Sequence, residues 1–90
     1  MKSPSFEWDE EKDRINQKKH GLPLSDGAAV VANAIATVED RRFDYNEDRF
    51  VAFGYVDRRL LACVFTTRDE VTRIISVRPA SQRERIRYAP

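Results

Sequence analysis

Arg49-Phe50-Val51-Ala52-Phe53-Gly54-Tyr55-Val56 alternates aromatic and aliphatic side chains and is followed by Asp57-Arg58. An alternating run closed by a two-residue polar step is the signature of a strand entering a hairpin. The next run, Leu60 to Thr67, is again apolar and β-prone. Arg68-Asp69-Glu70 turns the chain once more, into Val71 to Val77. Three consecutive strands with short turns predict an antiparallel meander, and Pro79 stops the last of them because it cannot donate to a ladder.

Outward from this meander, Ser81-Gln82-Arg83-Glu84 is a capping box that opens a final helix. Upstream, Ala34 to Glu39 reads as another strand, separated from the meander by a charged loop, Asp40 to Asp48, that carries Phe43 and Tyr45. Ser25 fits as N-cap of a short helix whose body is Gly27 to Ala32. Before it, Asp9 caps a longer helix with an acidic first turn (Glu10, Glu11) and a basic last turn (Lys18, Lys19, His20), and Gly21 stands at C′. Ile15 is almost its only apolar position, so this helix is expected to lie mostly exposed, pinned by Ile15 and Trp8. Ser5-Phe6-Glu7-Trp8 makes a short first strand. The expected fold is a single α+β domain over residues 1–90. It has an antiparallel sheet with two N-terminal helices and one C-terminal helix, order β-α-α-β-β-β-β-α, the helices on one sheet face.

Ninety residues with 41% hydrophobic and 34% charged side chains describe one small globular domain, too apolar for a disordered chain. The net charge of +1 conceals an asymmetry. Gly21 to Asp48 holds two basic and six acidic residues, a balance of −4, whereas Arg73 to Pro90 holds five arginines against Glu84, a balance of +4. An all-arginine pole suits bidentate phosphate contacts, although arginines near a chain end are also simply solvated. Cys63, the single cysteine, sits in an apolar run and reads as a buried hydrophobe, without disulfide or metal-ligand spacing. The first residues lack the apolar core of a secretory signal, and Gly27 to Val38 is too short to span a bilayer, so a soluble, cytoplasmic chain is expected.

Phe6-Glu7-Trp8-Asp9, then Lys12, Asn16 and Lys19-His20-Gly21, resemble the N-terminal signature of the BrnT toxin family. So do Ser25 with the alanines after it, Arg73-Ile74-Ile75-Ser76, the run Arg83-Glu84-Arg85, and Tyr88. The likeness runs from Phe6 to Tyr88. It departs where Val77 precedes and Pro79 follows Arg78, a stretch that is more basic in many relatives. The resemblance implies a RelE-like fold and a metal-independent endoribonuclease that halts translation. It also implies a cognate BrnA-like antitoxin of ribbon-helix-helix type, through which the complex represses its own operon.

Cutting RNA without a metal or other cofactor uses the substrate's own 2′-hydroxyl. A base takes its proton, cations stabilise the phosphorane, and an acid serves the leaving 5′-oxygen. Candidate catalytic residues are Lys19, His20, Arg73 and Arg78, and candidate RNA-binding residues are Arg83, Arg87 and Tyr88. Each has a plainer reading. Arg73, set among strand hydrophobes, is either a phosphate clamp or the partner of an acid from the Gly21–Asp48 stretch. His20 is a proton shuttle, its charged form favoured by the helix dipole, or a cap on the last carbonyls. Lys19 supplies a cation beside it or merely ends a helix. Tyr88 is an acid, a base-stacking platform, or the anchor of the last helix. Two other function classes remain: a toxin of the same fold that poisons DNA gyrase, and an interaction module whose arginines bind acidic protein. His20 beside Lys19 favours the nuclease, since a gyrase poison needs no proton-transfer group.

Overall fold

In the computed structural model, which describes residues 5–41 and 46–90, the elements follow the expected order. They are β1 (Ser5–Glu7), α1 (Glu10–His20), α2 (Ser25–Ala32), β2 (Ala36–Asp40), β3 (Arg49–Val56), β4 (Arg59–Arg68), β5 (Val71–Pro79) and α3 (Gln82–Tyr88). Phe43 and Tyr45 of the charged loop lie outside the described residues. Both hairpin turns use two residues with positive φ, Asp57 and Arg58 at 49° and 67°, Asp69 and Glu70 at 51° and 67°. That is the twist-matched geometry of a two-residue hairpin, so β3, β4 and β5 form the meander.

The sheet order is β1-β5-β4-β3-β2. Four strands pair antiparallel as expected, but β1 joins β5 in parallel, so the sheet is mixed. The helical crossover explains this: α1 and α2 leave β1 at one edge and deliver the chain to β2 at the opposite edge.

Alternation along the strands divides the core into two layers. Leu61, Cys63, Phe65, Ile74 and Val77 face α2 with Leu24 and Val30. Val51, Phe53, Leu60, Ala62 and Val64 face the other way, with Ala80 and Tyr88. The helices are therefore not gathered on one face; α1 and α2 cover one and α3 the other. The reason lies in β3 and β4, which carry apolar residues at odd and even positions alike. Two apolar faces each need a cover.

Two local expectations fail instructively. Ser25 is not the N-cap of α2. Leu24 occupies that place without a side-chain cap, and its N–H is satisfied by the Asp13 carboxylate of α1 at 2.8 Å. Nor does Ile15 pin α1, since it is 55% exposed. The only buried residue of α1 is Asn16. β1 covers the edge of β5 only as far as Arg73. Beyond it, Asn16 supplies the missing partner. Its Oδ1 accepts from the Val77 N–H at 3.1 Å, and its Nδ2 donates to the carbonyls of Val77 at 2.9 Å and Leu22 at 2.8 Å. An amide side chain carries one acceptor and two donors, and so imitates a strand backbone. At the other end of α1, Asp9 and Gly21 cap as expected, Gly21 at φ 70°.

α2 rests unusually close to β3. A Cβ built on Gly54 would stand 2.8 Å from the Val30 carbonyl oxygen and 3.3 Å from that of Asn33. Both are backbone atoms that cannot swing aside. Gly54→Ala is expected to destabilise the fold by about 1–3 kcal/mol, the usual cost of overpacking, read as a lower urea midpoint with an unchanged slope.

Candidate functional site

The sequence of β5 and α3 builds one end of the molecule. Pro79 ends β5, the chain turns through Ala80, and Ser81 caps α3 with its hydroxyl accepting from the Glu84 N–H. Glu84 completes the capping box by accepting from the Ser81 N–H at 2.9 Å. It does more than cap. Its two oxygens accept from both terminal nitrogens of Arg78, at 2.7 and 3.0 Å. This bidentate Arg78 guanidinium, with the Ser81 N–H, holds the Glu84 carboxyl down at about 2. Arg78 is thus fixed in direction, and its charge is largely shared with Glu84.

Because Glu84 ionises at about 2 in the fold against 4.5 ordinarily, its stabilisation is complete above 4.5 and is lost as pH falls towards 2. Glu84→Gln keeps a capping side chain but loses the charge. It should cost about 1–2 kcal/mol at pH 7, after allowance for partial exposure, and nothing near pH 2. Urea midpoints at the two pH values check both halves of that expectation.

Between α3 and the sheet edge lies a cleft of about 300 Å³, walled on the α3 side by Arg78, Arg83, Glu84, Arg87 and Tyr88, on the β2 side by Val38, Glu39, Asp40 and Arg41, and floored by Val51 and Phe53. Arg83 and Arg87 stand one helical turn apart and line the same cleft. Neither makes an ion pair among the described residues. The Tyr88 ring stacks on Phe53, with centroids 4.4 Å apart and planes 20° off parallel, which anchors α3 on the sheet. The Arg87 guanidinium sits 5.7 Å from the centre of the same ring.

His20 ends α1 one turn after Asn16, which carries it to the same end of β5. Its pKa falls below the ordinary 6.5, first through desolvation and then through the positive charges of Lys19 and Arg78. The expectation that the helix dipole would favour imidazolium is therefore reversed. The Gly21 N–H bonds the Gln17 carbonyl, and desolvation, followed by the two nearby cations, outweighs what remains of the helix end's negative character.

Of the seven expected site residues, Arg78, Arg83, Arg87 and Tyr88 line one cleft, and the charges of Lys19 and Arg78 reach His20. Arg73 does not join them. It lies five residues back along β5, roughly 16 Å at the rise of a strand. There it pairs with Glu7 of β1 at 3.1 Å, beside a polar hollow of about 540 Å³ that Glu47 and Asp48 also line. The acid that holds it comes from β1 rather than from the Gly21–Asp48 stretch. Cys63 is buried as expected, and desolvation pushes its thiol up to about 12, which leaves it inert as a nucleophile. Among the described residues no three His, Cys, Asp or Glu side chains cluster closely enough to hold a metal ion, and no helix is long and apolar enough to cross a membrane.

Sequence reasoning placed Glu7 and Asn16 in the N-terminal signature without giving either a partner, and saw Glu84 only as a cap. The available signal for Glu84 was its isolation as the one acid among five arginines. For Asn16 and Glu7 no local signal existed, since both partners lie on a strand more than sixty positions away.

The family model described as ribonuclease toxin, BrnT, of type II toxin-antitoxin system matches residues 8–84. No curated protein matches the chain.

Proposed function

This chain belongs to the BrnT family of ribonuclease toxins of type II toxin–antitoxin systems, and we propose that it cuts RNA by attack of the substrate's own 2′-hydroxyl, without a metal ion. The observation that carries this reading is the position of Arg78, whose charge reaches His20 together with that of Lys19 and which lines one cleft with Arg83 and Arg87. With its pKa below 6.5, His20 is a neutral imidazole at pH 7 and able to accept the 2′-hydroxyl proton. Arg78, aimed by Glu84, and Lys19 flank the phosphorane as its charge develops. Arg83 and Arg87 hold phosphates on either side of the scissile bond, and the outer edge of Tyr88 borders the flanking base. The bond from phosphorus to the 5′-oxygen breaks as the 2′-oxygen bond forms. The products are a 2′,3′-cyclic phosphate and a 5′-hydroxyl, so the proton lost from the 2′-oxygen is balanced by the one the 5′-oxygen gains. Arg73, paired to Glu7, is assigned a contact with RNA farther along the chain and stays out of the chemical step. The protein acts in the cytoplasm and is neutralised by a BrnA-like antitoxin with a ribbon-helix-helix DNA-binding part.

The test is incubation of the purified, antitoxin-free protein with naked RNA in EDTA. Fragments ending in cyclic phosphate are expected. Intact RNA would remove the reading and favour a gyrase poison or a ribosome-dependent nuclease. Arg83→Ala with Arg87→Ala should also flatten the salt dependence of RNA binding. Each lost phosphate contact lowers the single-strand slope by roughly 0.7, so the pair lowers it by about 1.4. An unchanged slope in a binding titration from 50 to 200 mM salt would show that this face of α3 is turned away from RNA.

A further inference from the structure

β2 is the last strand of the sheet, and among the described residues nothing pairs with its outer side. Its pairing with β3 puts Ala36, Val38 and Asp40 on the face that α3 covers. Val38 remains 36% exposed there, and Ile35, just before the strand, 44%. Exposed edges are commonly blunted by charge, and Glu39 and Arg41 do carry charge here. They pair with each other, however, at 2.9 Å, which leaves the apolar side chains uncovered. The same cleft that Val38 lines is walled on its far side by Arg83 and Arg87.

From this juxtaposition we infer that the free edge of β2 is where the antitoxin docks, by adding an extended acidic segment of about five residues as a sixth strand, its carboxylates facing Arg83 and Arg87. The inference rests on the toxin reading above and specifies its partner's contact. An open strand edge presents alternating N–H and C=O groups, a pattern that a polypeptide backbone matches and an RNA backbone does not. Arg83 and Arg87, which make no ion pair among the described residues, select acidic side chains on the added strand. A second copy of this chain is disfavoured, because the same cleft on each copy carries the same arginines. An alternating acidic and apolar segment satisfies both halves of the site. Its acids share the α3 face with Val38 and occupy the positions that RNA phosphates would otherwise take, while its apolar side chains alternate to the opposite face. Neutralisation then follows by direct competition.

Hydrogen–deuterium exchange on the full-length protein, alone and bound to its cognate antitoxin, reads the edge directly. Amides of residues 36–40 that exchange freely in the toxin should slow by at least about tenfold in the complex. Arg83→Glu with Arg87→Glu should weaken antitoxin binding by about tenfold or more, most strongly at low salt. If the antitoxin binds and inhibits while exchange over 36–40 is unchanged, the docking site is wrong and the toxin reading stands. If the cognate antitoxin does not bind the folded protein, both fall. If a single-stranded RNA oligonucleotide protects the β2 amides as well as the antitoxin does, or binds together with it, the edge is not the competitive site and the proposal is overturned.

Discussion

His20→Ala should lower RNA cleavage by about 10²- to 10⁴-fold, the range lost when a positioned acid–base group is removed. Its effect on stability should stay within about 0.5 kcal/mol, as for surface substitutions away from a packed or bonded feature. The side chain is half-buried at the end of α1, the last helical carbonyls being served by Gly21. The pH profile of kcat/KM separates a catalytic imidazole from a merely capping one. A base must be neutral to act, so activity should rise with pH through the free enzyme's His20 pKa, which lies below 6.5. Lys19→Met removes one of the two cations that depress it and should move that limb upward. A His20→Ala protein that is folded and cuts RNA at near-normal rate would transfer the chemistry elsewhere, with Arg73 next to be examined. The same depressed pKa has a stability consequence. The unfolded chain binds a proton at His20 before the folded one does, so stability falls as pH drops below 6.5.

Asn16→Ala should be the most damaging single change to the fold. It removes three hydrogen bonds at a residue only 6% exposed. The Val77 N–H and the carbonyls of Val77 and Leu22 are then left without partners, each at a cost of about 1–3 kcal/mol. Relaxation and entry of water recover part of that, which leaves about 3–5 kcal/mol. For a domain of this size each kcal/mol lowers Tm by roughly 4–8 °C, so a fall of more than about 12 °C is expected. Calorimetry of the purified variant, with and without antitoxin, checks it. A partner that binds only the folded state should restore part of the lost Tm by mass action. Asn16→Ala also frees the end of α1 from β5, so cleavage should fall even where the protein stays folded, because His20 stands one turn further along that helix. A Tm within about 4 °C of the parent would mean that the β5 edge finds other partners.

Local chemistry was enough for the elements themselves. The alternation of Arg49 to Val56, the Asp57-Arg58 turn, the Asp9 and Gly21 caps and the Ser81–Glu84 box each depend on residues within a few positions of one another. All four appear in the structure where the sequence places them. The arginine pole was legible in the same way, as a run of like charge. What the tertiary structure alone decided is which of these parts meet. Leu24 takes the place expected of Ser25 at the start of α2, its N–H held by Asp13 across eleven positions, and Asn16 reaches Val77 across sixty-one. Glu7 claims Arg73, which lies sixty-six positions on. α3 crosses to the face opposite α1 and α2, because both faces of β3 and β4 are apolar. Polar side chains bond whatever folding brings within about 3 Å, and chain neighbours in sequence carry no record of that distance. For that reason His20 and Arg78 were each visible as residues, whereas the nearness of the Arg78 charge to His20 exists only once β5 has been laid against α1.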